Sequence, residues 1–415
     1  MAVGPNTFPA MLPINGFKLG TTSAEIKYKD RRDLVVMEVA EGSTIAGVFT
    51  LNRFCAAPVQ ICQKHLAVVS AQGDAGEASA KRYLVTNTGY ANAGTGPDGY
   101  KNSLAVCERM ADIANVAVEN VLPYSTGVIG ERLPIETINA ALDRCVEGLS
   151  EQGWEDAAHG IMTTDTRPKG SSCTLSINGK DVCITGISKG SGMIMPNMAT
   201  MLAYVATDVG LSQALAETLL KEAADQSFNQ ATVDGDTSTN DSCMLIATQA
   251  SAVHFETECD EGYLQFKEAF ITVCVELAQA IIRDGEGATK FVTVRVEEAN
   301  SRNEARAVAY TVAHSPLVKT ALFAADPNWG RILAAIGRAP MDDLDVDAVS
   351  VYLDDVLLAE KGGVARSYRE EDGSRVMAQE EFSIVIKLGR GDIAADVWTC
   401  DFSYDYVKIN ADYRS

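Results

Sequence analysis

The sequence predicts a mixed α/β protein built in layers, of α/β or α+β type. Three observations carry this expectation. Segments with strand alternation and segments with helical spacing interleave along the 415 residues. Several strands are joined as hairpins, which a strict parallel βαβ repeat would not contain. No period of about 20–50 residues recurs, which argues against a solenoid or propeller. At roughly 100–200 residues per domain, the length fits two or three domains or one large layered unit.

Taken in order, Asp33–Val39 and Thr44–Leu51 alternate as strands on either side of a Glu-Gly turn. Tyr83–Thr86 reads as a short strand entering a small-residue loop, Asn87–Gly96. Ser103–Ala114 has helical spacing, with Leu104, Cys107, Met110 and Ile113 on one stripe. Pro134 opens a helix through Ile138, Leu142 and Cys145, because proline is tolerated in a first turn. Cys173–Ile187 is a hairpin around Asn178-Gly179, a pair suited to a type I′ turn. A loop, Lys189–Ala199, leads into a buried strand through Val209. Gln213–Ser227 is helical, Cys243–Thr248 a strand, Leu264–Ile282 a long helix and Phe291–Glu297 a strand. Ala305–Ala313 and the stretch after Trp329 read as helices. Val349–Leu353, Phe382–Leu388 and Asp396–Phe402 read as strands. A boundary is expected near residue 300, at the polar run EEANSRNEAR.

Composition narrows the function. Acidic residues outnumber basic ones by 56 to 35, a formal charge of −21. Such a surface repels phosphate backbones and anionic lipid, so neither nucleic acid nor membrane is an expected partner. The start, MAVGPNTFPAMLP, lacks the basic and apolar regions of a signal peptide, and no stretch reaches the length of a membrane span. A cytoplasmic protein is the expectation. The ten cysteines form no CxxC pair and the four histidines no HExxH, so no metal site is indicated. No histidine is advertised as the base of a serine or cysteine hydrolase.

Two glycine loops, KGSG (Lys189–Gly192) and DGEG (Asp284–Gly287), resemble phosphate loops, but neither fits the spacing of a nucleotide motif. The segment Lys189-Gly-Ser-Gly-Met-Ile-Met-Pro-Asn-Met-Ala-Thr200 offers different chemistry. If the Thr200 hydroxyl attacks the carbonyl of Ala199, an N→O acyl shift and hydrolysis leave Thr200 with a free α-amine. An α-amine titrates near about 7.7–8.0, so it can serve as general base for its own hydroxyl without a histidine. Taken alone, the pattern is also that of an ordinary strand opening. STGVIG (Ser125–Gly130) reads as a small-residue turn that could stabilise an oxyanion or be an ordinary loop.

Ordered blocks decide between these readings. GVFT (Gly47–Thr50), NTGYANAGTG, STGVIG, IMTTDT (Ile161–Thr166), KGSGMIMPNMATML, DGDTSTNDS (Asp234–Ser242), DGEGATK, KTALFAADPNWGRILAAIGRA (Lys319–Ala339) and the final DYVKINADYRS run almost end to end. With them the chain resembles the glutamate N-acetyltransferase (ornithine acetyltransferase) family of arginine biosynthesis. Tyr90 and Gly94 stand where Asn and Cys are frequent in that family.

The resemblance implies a four-layer α/β/β/α core shared by two self-cleaved fragments, 1–199 and 200–415, with a smaller C-terminal α/β domain from about residue 300. It implies cleavage between Ala199 and Thr200, Thr200 as nucleophile, and Thr126 and Gly127 as the oxyanion pair. Thr163, Lys189, Glu286, Asn410 and the terminal Ser415 would bind substrate with Thr200. The implied reaction is ping-pong acetyl transfer from N2-acetylornithine to glutamate, with no cofactor; acetyl-CoA as a further donor is left open. Two fragment pairs would assemble as a heterotetramer. The alternatives at this point are an N-terminal-nucleophile aminopeptidase or amidase of the same architecture, and a non-catalytic amino-acid-binding protein.

Overall fold

The segment Leu34-Val-Val-Met-Glu-Val39 forms a strand covered on both faces, and the two faces meet different partners. Val35, Met37 and Val39 point into one apolar cluster, Leu34 and Val36 into another. That alternation is the plan of the molecule. The structure, a computed structural model, describes residues 2–72, 80–195 and 201–413.

In chain order the first part runs β1 (Phe17–Thr22), β2 (Leu34–Val39), β3 (Thr44–Phe49), α1 (Ala57–Gln72), β4 (Arg82–Tyr90), α2 (Gly96–Ala114), β5 (Val121–Val128), α3 (Ile135–Glu147), α4 (Trp154–Gly160), β6 (Lys169–Ile177) and β7 (Lys180–Lys189). Beyond residue 200 come β8 (Leu202–Thr207), β9 (Gly210–Leu211), α5 (Gln213–Gln226), β10 (Ser242–Ala247), β11 (His254–Phe255) and α6 (Tyr263–Arg283). The remainder is β12 (Phe291–Ala299), α7 (Arg302–Ala313), α8 (Pro316–Phe323), α9 (Trp329–Ile336), β13 (Ser350–Leu353), β14 (Val356–Glu360), β15 (Gly363–Val364), α10 (Glu370–Met377), β16 (Glu381–Lys387), β17 (Ile393–Cys400) and α11 (Tyr404–Ala411).

One sheet has the order β1-β2-β4-β5 and the next β3-β10-β8-β7-β6. Their facing sides share a core that includes Leu84 and Leu122 from the first sheet and Leu202, Ala206 and Ile246 from the second. Thr86 of β4 and Tyr204 of β8 exchange a buried hydroxyl contact of 2.8 Å across it. The outer side of the first sheet packs on α2 and α3, and that of the second on α5 and α6. The result is a four-layer α/β/β/α core. The second sheet interleaves strands from either side of residue 200, since β8 and β10 lie between β3 and β7. A third sheet, β15-β14-β13-β16-β12-β17, packs on α7 and α9 around its own apolar cluster. Among the described residues no helix is long and apolar enough to cross a membrane.

The hairpin is as read: β6 and β7 meet at Ile177 and Lys180, and Asn178 and Gly179 both take the positive φ of a type I′ turn. Two segments expected as loops are strand. β4 continues through Asn87-Thr-Gly-Tyr90, and β5 carries Ser125, Thr126 and Gly127. Their small polar residues lack an apolar face, but the strands pair in parallel, and the Ser125 hydroxyl donates to Asn87 Oδ1 at 2.6 Å. Helix α1 was not legible because its buried residues follow no single stripe: Ile61 joins the helix-side cluster while Cys62 joins the core between the sheets.

Candidate functional site

Strands from both sheets end at one place. Lys189, the last residue of β7, pairs with Leu202, the first of β8, and Leu202 pairs with Ser242, the first of β10. In the other sheet, β4 and β5 end beside them at Tyr90 and Val128. There the β4–β5 register slips, so that Tyr90 opposes both Thr126 and Val128. Glycine makes the slip feasible: Gly127 has φ +133°, and a Cβ on it would stand 2.2 Å from the carbonyl carbon of Gly89.

A cavity of about 260 Å³ opens at this junction. Thr126, Gly127, Thr163, Lys189, Glu286 and Asn410 all line it, so the six described candidate residues converge although they span most of the chain. Ala199, Thr200 and Ser415 lie outside the described residues. Met201, which follows Thr200, lines an adjoining cavity of about 30 Å³ together with Thr126 and Lys189. None of the four histidines lines either space.

The Lys189 ammonium donates to the hydroxyls of Thr126 at 2.8 Å and Thr163 at 3.2 Å. Burial lowers its pKa, while Asp165, Asp241 and Glu286 work against that shift. Behind it lies a buried charge network that the sequence did not reveal. Lys169 Nζ sits 2.6 Å from Asp165 and 2.6 Å from Asp284, with the three side chains almost wholly enclosed. Asp165 also accepts the backbone N–H groups of Thr163 at 3.0 Å and Gly190 at 2.7 Å. Burial pushes the Asp165 carboxyl up, but Lys169 and Lys189 outweigh it and hold it well below the ordinary carboxylate range. Asp284 accepts the backbone N–H of Thr166 at 3.0 Å.

Burial pushes the Glu286 carboxyl up, opposed by hydrogen bonds from Thr164 and Asn410. Asn410 Nδ2 donates to it at 2.8 Å. The two glycine loops meet here: Glu286 N–H donates to the Ser191 carbonyl at 2.7 Å, and a Cβ on Gly192 would stand 2.3 Å from Glu286 Oε2. Glycine at 192 thus makes room for a carboxylate. Helix α11 reaches the site because its capping residue, Ser403, donates to the Gly287 carbonyl at 2.6 Å.

Asp241 and Asn240 are further residues the sequence reading passed over. Asn240 Nδ2 donates to the Ser125 carbonyl at 2.8 Å and so anchors the strand that carries Thr126. Asp241 is buried, and one of its carboxylate oxygens has no hydrogen-bond partner among the described residues. Burial pushes its carboxyl well above the ordinary range, with Ser238 and Lys189 offsetting only part of that. The one available signal was their place in the DGDTSTNDS block. A second cavity of about 200 Å³, lined by Lys27, Arg31 and Asp33, shares Gly127, Thr163 and Tyr413 with the first and extends it into a cleft.

The chain is similar to known proteins over most of its length. A family model described as the ArgJ family matches residues 18–415. The arginine biosynthesis bifunctional protein ArgJ of Pseudomonas fluorescens (strain Pf0-1) is 54% identical over 417 residues, covering 100% of each chain. A crystal structure of arginine biosynthesis bifunctional protein argJ from Bacillus halodurans is 35% identical, covers 52% of this chain and 100% of its own, and has a TM-score of 0.49. The structure of ornithine acetyltransferase complexed with ornithine from Mycobacterium tuberculosis is 29% identical, covers 46% of this chain and 95% of its own, and has a TM-score of 0.37.

Two stability measurements probe the buried charges. Lys169→Met strands two enclosed carboxylates, and urea unfolding is expected to show a loss of about 3–5 kcal/mol. Asp241 binds its proton more tightly folded than unfolded, so it makes stability fall as pH rises above the unfolded value of about 4. Asp241→Asn should therefore flatten the decline that sets in above pH ~4, by up to about 1.4 kcal/mol per pH unit. Identical slopes for the variant and the parent would contradict this.

Proposed function

The chain belongs to the ArgJ family, and from that premise we propose that it transfers an acetyl group from N2-acetylornithine to glutamate through an acetyl ester on Thr200. The observation that carries the reading is the convergence at Leu202. Two residues after Thr200, its backbone pairs with Lys189, whose ammonium bonds the Thr126 hydroxyl. Leu202 thus opens β8 beside the cavities that Thr126, Gly127, Lys189, Glu286 and Asn410 line, which supports a reading in which Thr200 acts there.

In this proposal the Thr200 hydroxyl first attacks the Ala199 carbonyl, the peptide becomes an ester, and water releases fragment 1–199. The interleaving of β3, β7, β8 and β10 supports two fragments that stay together after the cut. Fragment 1–199 brings the oxyanion strand. Fragment 200–415 brings the nucleophile and the C-terminal α/β part. A pair of these heterodimers completes the proposed assembly, acting on small molecules in the cytoplasm.

The free α-amine of Thr200 then takes the proton of its own hydroxyl, which attacks the acetyl carbonyl of N2-acetylornithine. Thr126 and Gly127 hold the oxyanion. The contact from Lys189 to Thr126 supports a lysine that strengthens this hydroxyl as a donor as well as holding a substrate carboxylate. The carbon–nitrogen bond breaks, the proton returns to nitrogen, and ornithine leaves. The amine of glutamate attacks the ester, N-acetylglutamate departs, and the hydroxyl is restored. Glu286 and Asn410 would hold the amine end of the amino acid, and Thr163 would fix its orientation. Acetyl-CoA is included as an alternative donor to the same hydroxyl.

The test is acetyl release from N2-acetylornithine with and without glutamate, beside a denaturing gel. The proposal expects N-acetylglutamate formation that depends on glutamate, and two fragments of similar size. Thr200→Ala should give one uncut chain and lose turnover to the background. Acetyl release indifferent to glutamate would favour an amidase, and an uncut, inactive parent protein would favour a binding protein.

A further inference from the structure

The sandwich has a second open end. Strand β4 runs nine residues from Arg82 to Tyr90. At about 3.3 Å per residue, its start lies roughly 26 Å from the site described above. There the two sheets leave a cavity of about 600 Å³, which shares no lining residue with the first.

Arg82 lines this cavity and is only 8% exposed. It lies two residues before Leu84 on the same strand face, the face turned to the second sheet. Thr44 and Leu211 line the cavity from that opposite side. The other enclosed cations are satisfied: Lys169 has two carboxylates, Lys189 two hydroxyls, and Lys319 the Thr399 hydroxyl. Arg82 has neither a hydrogen bond nor an ion pair among the described residues. Burial lowers its pKa, and no carboxylate opposes that shift. A largely buried guanidinium that faces a cavity with no carboxylate partner beside it is well suited to receive an anion there.

A second group points the same way. Helix α5, 14 residues long, begins at the cavity wall, where Ser212 and Gln213 line it. The Ser212 hydroxyl accepts from Leu215 N–H, which leaves the Gln213 N–H at the positive end of the helix without an intrahelical acceptor. His254 lines the space as well, and Glu256 is the one carboxylate among the lining residues.

We propose that this cavity is an anion site, which takes a small molecule by a phosphate or carboxylate group held between Arg82 and the first turn of α5. Arginine and a helix N-terminus are the two protein groups best suited to such an oxyanion. The remaining volume admits a polar body beyond the anionic group.

Isothermal titration of the purified full protein at low ionic strength tests this, with inorganic phosphate in one arm and succinate in the other. The proposal expects one site per chain for at least one of them, and the tighter of the two identifies the group. Arg82→Gln should weaken binding by about tenfold or more. Glu256→Gln should tighten it. Ser70 is exposed on the cavity rim, so Ser70→Asp should weaken binding without touching the core, and it keeps the test alive if Arg82→Gln does not fold. Lys189→Met, in the other cavity, should leave the Arg82-dependent binding unchanged. The proposal is overturned if neither anion binds, if binding survives both Arg82→Gln and Ser70→Asp, or if it disappears only in Lys189→Met.

Discussion

The buried ammonium of Lys169, held between Asp165 and Asp284, is the constraint on which the rest of the site depends. Asp165 fixes the backbone of Thr163 and of Gly190, next to Lys189. Asp284 lies two residues from Glu286 and fixes Thr166. One ion cluster thus ties together three segments far apart in the chain, each of which delivers a side chain to the cavity. Its geometry also sets charge. Asp165 stays ionised against burial because two lysines face it, and in turn it helps keep Lys189 protonated. A fully enclosed cluster of this kind gives no assurance of net stability. What it does confer is a fixed relation between Thr163, Lys189 and the carboxyl of Glu286.

The second determinant is where strands stop. β4, β5 and β7 finish, and β8 and β10 start, at the same end of the sandwich. Backbone ends therefore crowd a small volume; Gly127 lets β5 approach the backbone of Gly89, and Gly192 makes room for the Glu286 carboxylate.

Much of this was legible in the sequence, and for identifiable reasons. Short apolar runs revealed β2, β3, β10 and β16, and Asn178-Gly179 fixed the hairpin because few residue pairs accept two positive φ angles. The six candidate residues that line the cavity were picked out through ordered blocks, each weak alone. What stayed hidden depends on long-range pairing. The polar ends of β4 and β5 read as loops because their stability comes from each other and from Asn240, about 115 residues on. Lys169 sits in a hairpin strand with no local mark, since its partners lie 4 and 115 residues away. Asp241 and Arg82 matter through enclosure, and enclosure cannot be read from a residue's neighbours in sequence.

The central claim is a covalent one: the acetyl group rests on Thr200 between donor and acceptor. The most direct measurement mixes the protein with N2-acetylornithine in the absence of glutamate, quenches it in acid, and maps the fragments by mass spectrometry. The account predicts a single added acetyl group on the peptide that begins at Thr200, lost again when glutamate is supplied before the quench. An acetyl group found elsewhere, or turnover to N-acetylglutamate with no acetylated peptide at any time, would contradict it.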